Sequence, residues 1–422
     1  MAASEKKGSP FRVLVAEYLL ANSNAASSVL PSMLVEAEAM LMAVLTDFAA
    51  LPGVRATVML SEDSAQRLAG SDNSNSKSTI SSRQESKPGS RGWTELAKEA
   101  PGVRSFLVPT PTTPELSCAS GLARSTYVLC GELDRQTLSR ILHTQSADSA
   151  FDAVFLIAPE CDGVLVSLLK AVQTHDQSHI HCLNLDWQLT EIFADKRRTA
   201  AWLQQRGIPT IPTRTIDDAT VESLRSATPC ALDYRVVLKP RDGAGAESIQ
   251  IVSLNREFET LPQQDSDNDR WLLQPLMPGL ACSVGFIGGG PDKPTTILPA
   301  ARQQIHSTDG RLTYHGGQVP CESAIADRIT PVAEQLAAAI GPFSGYVGAD
   351  LLVDLSAVEK SPASVLVVEI NPRLCTSYVG YRALTADNLA AWLLQQNHGR
   401  TIRWTSQVVT FSASGEITRP GE

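Results

Sequence analysis

The sequence predicts an open parallel α/β sheet followed by an α+β region, and three observations carry that reading. Between residues 11 and 187, short apolar runs alternate with amphipathic stretches, the order expected of βαβ units. One of those runs, FDAVFLIAP (151–159), is nearly all apolar, as a central parallel strand covered on both faces would be. From Asp195 onward the texture changes to a helix and then to clustered strands separated by Gly- and Pro-rich turns. The expected organisation is a first domain over residues 1–190, a small lobe over 191–275, a large lobe over 276–410 and a loose tail over 411–422.

In the first domain RVLVAEYLL reads as the opening strand. Met33, Ala37, Met40, Val44 and Phe48 recur at spacings of three and four, so residues 32–49 form an amphipathic helix. RATVML and RSFLVP are further short strands, a helix covers 162–174, and HCLNLDW is the last strand. Residues 71–92 are dominated by Ser, Asn, Lys and Gly with almost nothing to bury, and read as a disordered insertion. In the second region DKRRTAAWLQQRG is a helix closed by Gly207. RVVLKP, SIQIVS and WLLQPL are strands, and a hairpin turns at IGGGPDKP. Ile329, Val332, Leu336 and Ile340 mark a helix with Pro331 in its first turn. GYVGADLLVD and SVLVVEIN are two strands joined by a polar loop, and NLAAWLLQQ is a C-terminal helix.

Composition narrows the function. With 43% hydrophobic residues the 422-residue chain can bury more than one core, and a net charge of -9 argues against a nucleic-acid footprint, which needs a basic face. No apolar window approaches a membrane-spanning length. Glu17 interrupts the apolar run VLVAEYLLA, so that run reads as a strand rather than a secretory signal. The eight cysteines are scattered, without a Cys-x-x-Cys pair, which fits reduced thiols in a cytoplasmic protein.

The chemistry concentrates near VVEINPRLCTSY (367–378). Strand alternation puts Val365, Val367, Glu369 and Asn371 on one face, with Leu366, Val368 and Ile370 on the other as plain core. If the two late strands pair with Asp354 opposite Val365, Asp350 falls opposite Glu369. Asp350, Glu369 and Asn371 then supply hard oxygen donors that suit Mg²⁺ or Mn²⁺, ions that expect phosphate oxygens as well. Taken alone, Asp350 and Glu369 are equally what a solvated strand face presents. Lys239 ends a strand, and the loop after it carries Asp242, Gly243 and Gly245, whose backbone N–H groups could lie along a polyphosphate; a lone Gly-x-Gly is also an ordinary turn. No Gly-Lys-Ser/Thr follows, so this is not a Walker A loop. Lys196 precedes a helix, and Arg302 and Arg373 complete a set of four cations of the kind a transferring phosphoryl group needs. Thr376, Ser377 and Tyr378 follow Arg373 directly and could reach the acyl end of a substrate, though Tyr378 is equally a core residue. Glu17, near the C-terminal end of the first strand, could hold an amine or be simply a strand-end charge. His175, His179, His181 and Cys182 read as structural rather than as a metal cluster, and Arg197 and Arg198 as a solvated helix face.

In order, an Asp-Lys helix, Leu-Lys-Pro with a Gly-rich loop, LLQPLMPG, a basic hairpin strand, a Gly-x-Asp strand and Glu-Ile-Asn-Pro-Arg resemble the ATP-grasp superfamily across roughly the whole chain. The resemblance implies a Rossmann-like pre-ATP-grasp domain followed by a two-lobed ATP-grasp fold. It also implies metal ligands at Asp350, Glu369 and Asn371, phosphate-binding lysines at Lys196 and Lys239, and transition-state cations at Arg302 and Arg373. WLLQPLMPG would be the interlobe hinge reading adenine, near Gln274 and Leu276; Gln274 and Pro275 stand where the family often has an acid. VAEYLLANS, APECDGVL, YHGGQVP and INPRLCTSYVGYRAL further resemble the tyramine–glutamate ligase family of methanofuran biosynthesis and its bacterial relatives. What that implies is an ATP- and Mg²⁺- or Mn²⁺-dependent, two-ion ligase joining the γ-carboxyl of glutamate to an aromatic amine such as tyramine or tyrosine through an acyl phosphate. Its partners would be small molecules and a second copy of the chain in a homodimer. A dipeptide or peptide-modifying ligase, and a nucleotide-binding protein without turnover, are the competing readings.

Overall fold

The computed structural model describes residues 10–70, 104–107, 127–143, 151–174, 180–216, 235–243, 249–253, 270–356 and 364–421. The 71–92 insertion, Gly245, His175 and His179 lie outside them.

Six strands form the first sheet: β1 (Phe11–Glu17), β2 (Val54–Leu60), β3 (Arg104–Leu107), β4 (Tyr127–Cys130), β5 (Ala153–Ile157) and β6 (His181–Cys182). Their order is β3-β4-β2-β1-β5-β6, parallel throughout except for β3 against β4. This is the parallel sheet of a Rossmann-like domain, and the strand order reverses between β1 and β5, where such sheets open a crevice. Every residue of β5 is buried, which accounts for its unbroken apolar sequence. The expected strand HCLNLDW is cut to two residues, because Asp186 instead caps a helix by accepting from the Leu189 backbone N–H.

Helices α1 (Ser23–Ser28), α2 (Pro31–Ala50), α3 (Glu62–Gly70), α4 (Arg135–His143) and α5 (Val164–Gln173) flank this sheet. The buried stripe of α2 (Ala37, Met40, Leu41, Val44, Leu45, Phe48) has helical spacing. One flank of α2 packs into a core that also contains Tyr346, Tyr378, Tyr381 and Trp392 from far along the chain.

The second sheet is antiparallel and runs β16-β15-β11-β13-β14-β9-β8-β10-β7. Its members are β7 (Arg214–Thr215), β8 (Arg235–Pro240), β9 (Gln250–Ser253), β10 (Trp271–Pro275), β11 (Leu280–Gly289), β12 (Thr296–Ile297, beside β11), β13 (Ala301–Thr308), β14 (Arg311–Val319), β15 (Ser344–Val353) and β16 (Val365–Asn371). β9 and β14 meet at Arg311 and Gln250, joining the β7–β10 group to the rest. Helices α6 (Trp187–Phe193) and α7 (Lys196–Gln205) lead into this half, and α7 is followed by Gly207 at φ +68°. Although the sequence assigns α7 to the small lobe, Trp202, Leu203 and Ile208 pack with Val365 and Val367 of β16. Helix α8 (Ser323–Ile340) begins two turns earlier than expected, so Pro331 lies inside it. Ile325 and Ile329 extend the buried stripe upstream, and Pro331 is on the exposed side of the helix. Helices α9 (Ser377–Ala383) and α10 (Ala390–Leu393) follow; α10 is a single turn within the longer helix expected over NLAAWLLQQ.

The tail is ordered, contrary to expectation. β17 (Val409–Ser412) pairs with β14, β18 (Ile417–Thr418) pairs with β17, and Phe411 is 1% exposed. The physical reason is a fitted contact: a Cβ on Gly380 would lie 2.5 Å from Phe411 Cδ1. Phe411→Ala is expected to cost about 3–5 kcal/mol of unfolding free energy, read from denaturant titration. A loss under about 1 kcal/mol would show that this packing contributes little. Among the described residues no helix is long and apolar enough to cross a membrane.

Candidate active site

A cavity of about 520 Å³ opens between the β8–β10 group, the β11–β13–β15–β16 face and α2. Its walls contain Lys239, Gln274, Leu276, Arg302, Asp350, Glu369, Asn371, Arg373, Thr376 and Ser377, ten of the residues singled out from sequence.

The antiparallel pairing of β15 with β16 sets Asp350 opposite Glu369. The register is not uniform, however. Val353, not Asp354, stands opposite Val365, and a bulge follows Asp350 because Val368 has no partner. The bulge changes which side chains face inward. Val365, Val367 and Ile370 are core, while Val368, Glu369 and Asn371 line the cavity. The expected faces are therefore corrected: Val368 leaves the core, Val365 and Val367 join it, and Ile370 stays there.

The carboxylates are buried and crowded. Asp350 accepts from Gln303 Nε2 (2.9 Å) and from Asn371 Nδ2 (3.0 Å). Burial, and then the charge of Glu369, raise Asp350 to about 7. Burial opposes ionisation of Glu369 too, but Lys196 and Lys239 outweigh it and hold that carboxyl below its ordinary value. Their Nζ atoms lie 3.8 and 4.0 Å from Glu369 Oε2, an oxygen that is buried without a hydrogen bond. Lys239 is 1% exposed, and burial pulls its ammonium down to about 8. Lys196 also donates to the carbonyl of Gly243. Its place is fixed by Asp195, which caps α7 through Arg197 and Arg198 and pairs with Arg241 at 2.7 Å.

These groups fit a divalent cation with phosphate. Two carboxylates and a carboxamide converge, one carboxylate oxygen is buried without a partner, and two ammonium groups stand beside it. Asp350, Glu369 and Asn371 would hold the ion.

Arg302 lies on the cavity wall half-exposed, with its Nη1 2.9 Å from Glu322. Arg373 is held from the other domain. Its Nε is 2.8 Å from Oε1 of Glu160, at the end of β5, without the alignment of a hydrogen bond, and both Glu160 oxygens are buried unbonded. Burial opposes the charge of Arg373, and Glu160 more than restores it. Gln274 donates to Thr213 Oγ1 (2.8 Å), and the Leu276 N–H donates to the Arg235 carbonyl (3.2 Å). Asp242 accepts from the Asp162 N–H (3.4 Å).

Two expected substrate residues face elsewhere. Tyr378 is fully buried and donates to Asp47 Oδ2 of α2 (2.8 Å), outside the cavity wall. Arg382 joins the same carboxylate. Glu17 is 2% exposed and accepts from the Leu20 N–H (2.8 Å), away from the cavity wall. Burial lifts Glu17 to about 8 despite that bond and the charge of Arg373. The folded protein therefore keeps a proton that the unfolded chain sheds at ordinary carboxylate pH, and its stability falls as pH rises from about 4.5 to about 8. Glu17→Gln is expected to flatten that slope and raise Tm by a few degrees at pH 8, with a smaller gain at pH 5. Equal shifts at both pH values would mean that Glu17 is ionised in the fold. Cys182 accepts from Gln173, and burial pushes its thiol up to about 11.

Three residues escaped the sequence reading: Gln303 on Asp350, Glu160 on Arg373, and Glu36 of α2, which accepts from Thr376 Oγ1 at 3.0 Å. Glu160 lies within the APECDGVL motif; the other two carry no local signal.

Residues 193–377 match the ATP-grasp domain family. The chain carries that domain. It is similar to the tyramine–L-glutamate ligase of Methanocaldococcus fervens, with 24% identity over 279 residues covering 66% of this chain and 74% of the relative. In fold it is similar to an Archaeoglobus fulgidus protein assigned to the ATP-grasp superfamily (TM-score 0.55, 17% identity, 95% and 92% of the two chains covered). It is also similar to an L-amino acid ligase from Bacillus licheniformis (TM-score 0.53, 14% identity, 96% and 80% covered).

Proposed function

We propose that the protein is an ATP-dependent carboxylate–amine ligase that joins the γ-carboxyl of glutamate to an aromatic amine such as tyramine or tyrosine. The supporting observation is the meeting of Asp350 and Glu369 across β15 and β16, with Lys196 and Lys239 on the same Glu369 oxygen. A free nucleotide-binding function would not call for Arg302 and Arg373 as well.

In this reading the donor carboxylate attacks the γ-phosphorus of ATP and ADP leaves. The amine then attacks the acyl carbon, phosphate leaves, and the amide remains. Mg²⁺ or Mn²⁺ held by Asp350, Glu369 and Asn371 would supply charge neutralisation for the phosphates. Lys196 and Lys239 would turn from Glu369 toward phosphate oxygens. Gln274 and Leu276 would border adenine, with Asp242 and Gly243 in the loop nearby. Arg302 and Arg373 would stabilise the phosphoryl group in flight. The reading places the enzyme in the cytoplasm as a homodimer. The likeness to an L-amino acid ligase supports a second reading in which the acceptor is an amino acid.

The test is ADP release with a panel of carboxylates and amines, with mass spectrometry of the products. γ-Glutamyl amides of aromatic amines are expected. Dipeptides would select the second reading, and bound ATP without turnover under any pairing would overturn both.

A further inference from the structure

We propose that the α2 end of the cavity is a subsite for a substrate's ammonium group, with Glu36 as its counter-ion. The proposal rests on the ligase reading above and deepens it.

The cavity carries charges of both signs. Arg302, Arg373 and Lys239 are among the residues lining it. Among the described residues lining it, the acids are Asp350, Glu369 and Glu36. The first two face each other across the sheet and belong with the lysines and a cation. Glu36 comes from a different layer of the molecule. It lies in the second turn of α2, yet its carboxylate reaches Thr376, 340 residues further along. Thr376 is itself buried, so this hydrogen bond fixes the carboxylate at the cavity wall.

The surroundings suit a cation with a short polar head. Tyr314 lines the same region, and burial, then the charge of Glu36, keep its phenol protonated. Ser377 is fixed beside Tyr346, 3.3 Å between hydroxyl oxygens. Arg373 also feels Glu36, but its close partner is Glu160 at 2.8 Å. A carboxylate here would repel an all-anionic substrate, whereas an amino acid or a primary amine presents the opposite charge. The ligand class is therefore a compound with a protonated primary amine, either the α-ammonium of the donor or the amine of the acceptor.

The two sources separate by kinetics. Glu36→Gln keeps the hydrogen bond from Thr376 and removes the charge. It is expected to raise KM for one ammonium-bearing substrate at least about tenfold, with KM for ATP moved less than about twofold. Glutarate, which lacks the α-amino group of glutamate, distinguishes the sources. If wild type and variant become equal with glutarate, the ammonium is the donor's. If the difference persists and follows the amine concentration, it is the acceptor's. Should neither substrate's KM change more than about twofold, the proposal is wrong. Direct binding provides an independent measurement when wild type has no turnover, which would be a failure of the ligase reading alone. Glutamate and tyramine are then titrated calorimetrically into the full-length protein with Mg²⁺ and a non-hydrolysable ATP analogue. Binding that weakens at least about tenfold in Glu36→Gln supports the site, and binding that is absent or unchanged overturns it. Thr376→Val, which removes the hydrogen bond and keeps the charge, is expected to fall between.

Discussion

Glu369→Gln is expected to lower kcat by at least about 10³-fold, the largest effect of any single substitution in the cavity. The carboxylate sits where three demands meet: it faces Asp350 across the strand pair, and two lysines lean on one of its oxygens. Charge stabilisation by a bound divalent ion is worth several kcal/mol in the transition state, and each ~1.4 kcal/mol is a factor of ten. The neutral amide keeps the volume and loses the charge, so the fold is expected to persist. The measurement is a Mg²⁺ titration of both ATP binding and turnover. ATP affinity is expected to lose its Mg²⁺ dependence in the variant. Wild-type kcat at ordinary Mg²⁺ would show that the ion is held elsewhere.

Arg373→Met is expected to damage both stability and turnover, and the two effects should come apart. Arg373 neutralises Glu160, which is 6% exposed and whose carboxylate oxygens have no hydrogen bond. Removing one member of a buried pair costs about 3–5 kcal/mol, because the other charge is stranded. Adding Glu160→Gln should recover most of that loss in denaturant titration. Turnover should stay down at least about a hundredfold in the double variant, since the cation itself is gone. Recovery of turnover along with stability would make Arg373 a structural residue and remove it from the chemistry.

The legible parts of this molecule are those in which one local pattern decides. Strand composition marks β5 and helical spacing marks α2, because burial of each depends on its own sequence period. Asp350 and Glu369 meet as they do on paper only because two slips cancel: the strands begin one residue out of the expected register, and the bulge at Val368 restores it. Tyr378 cannot be placed that way, since its partner Asp47 lies 331 residues away on another layer. Glu36, Glu160 and Gln303 are silent for the same reason: each acquires its meaning from a contact between distant segments. Pro331 misleads through a rule about first turns, when exposure on the solvent side is enough to admit it mid-helix. The tail misleads because short polar-rich ends look loose until the partner of Phe411 is known.

Val368, the one residue of β16 that the neighbouring strand skips, acts as a frame-shift in three dimensions. Upstream of it odd-numbered side chains turn toward oil; downstream they turn toward the cavity. Were Val368 paired in regular register like its neighbours, alternation would be perfect, and in the same stroke a carboxylate would be driven into the hydrocarbon interior while isoleucine turned to the cavity. The irregularity is what lets a single strand serve as both keel and anvil.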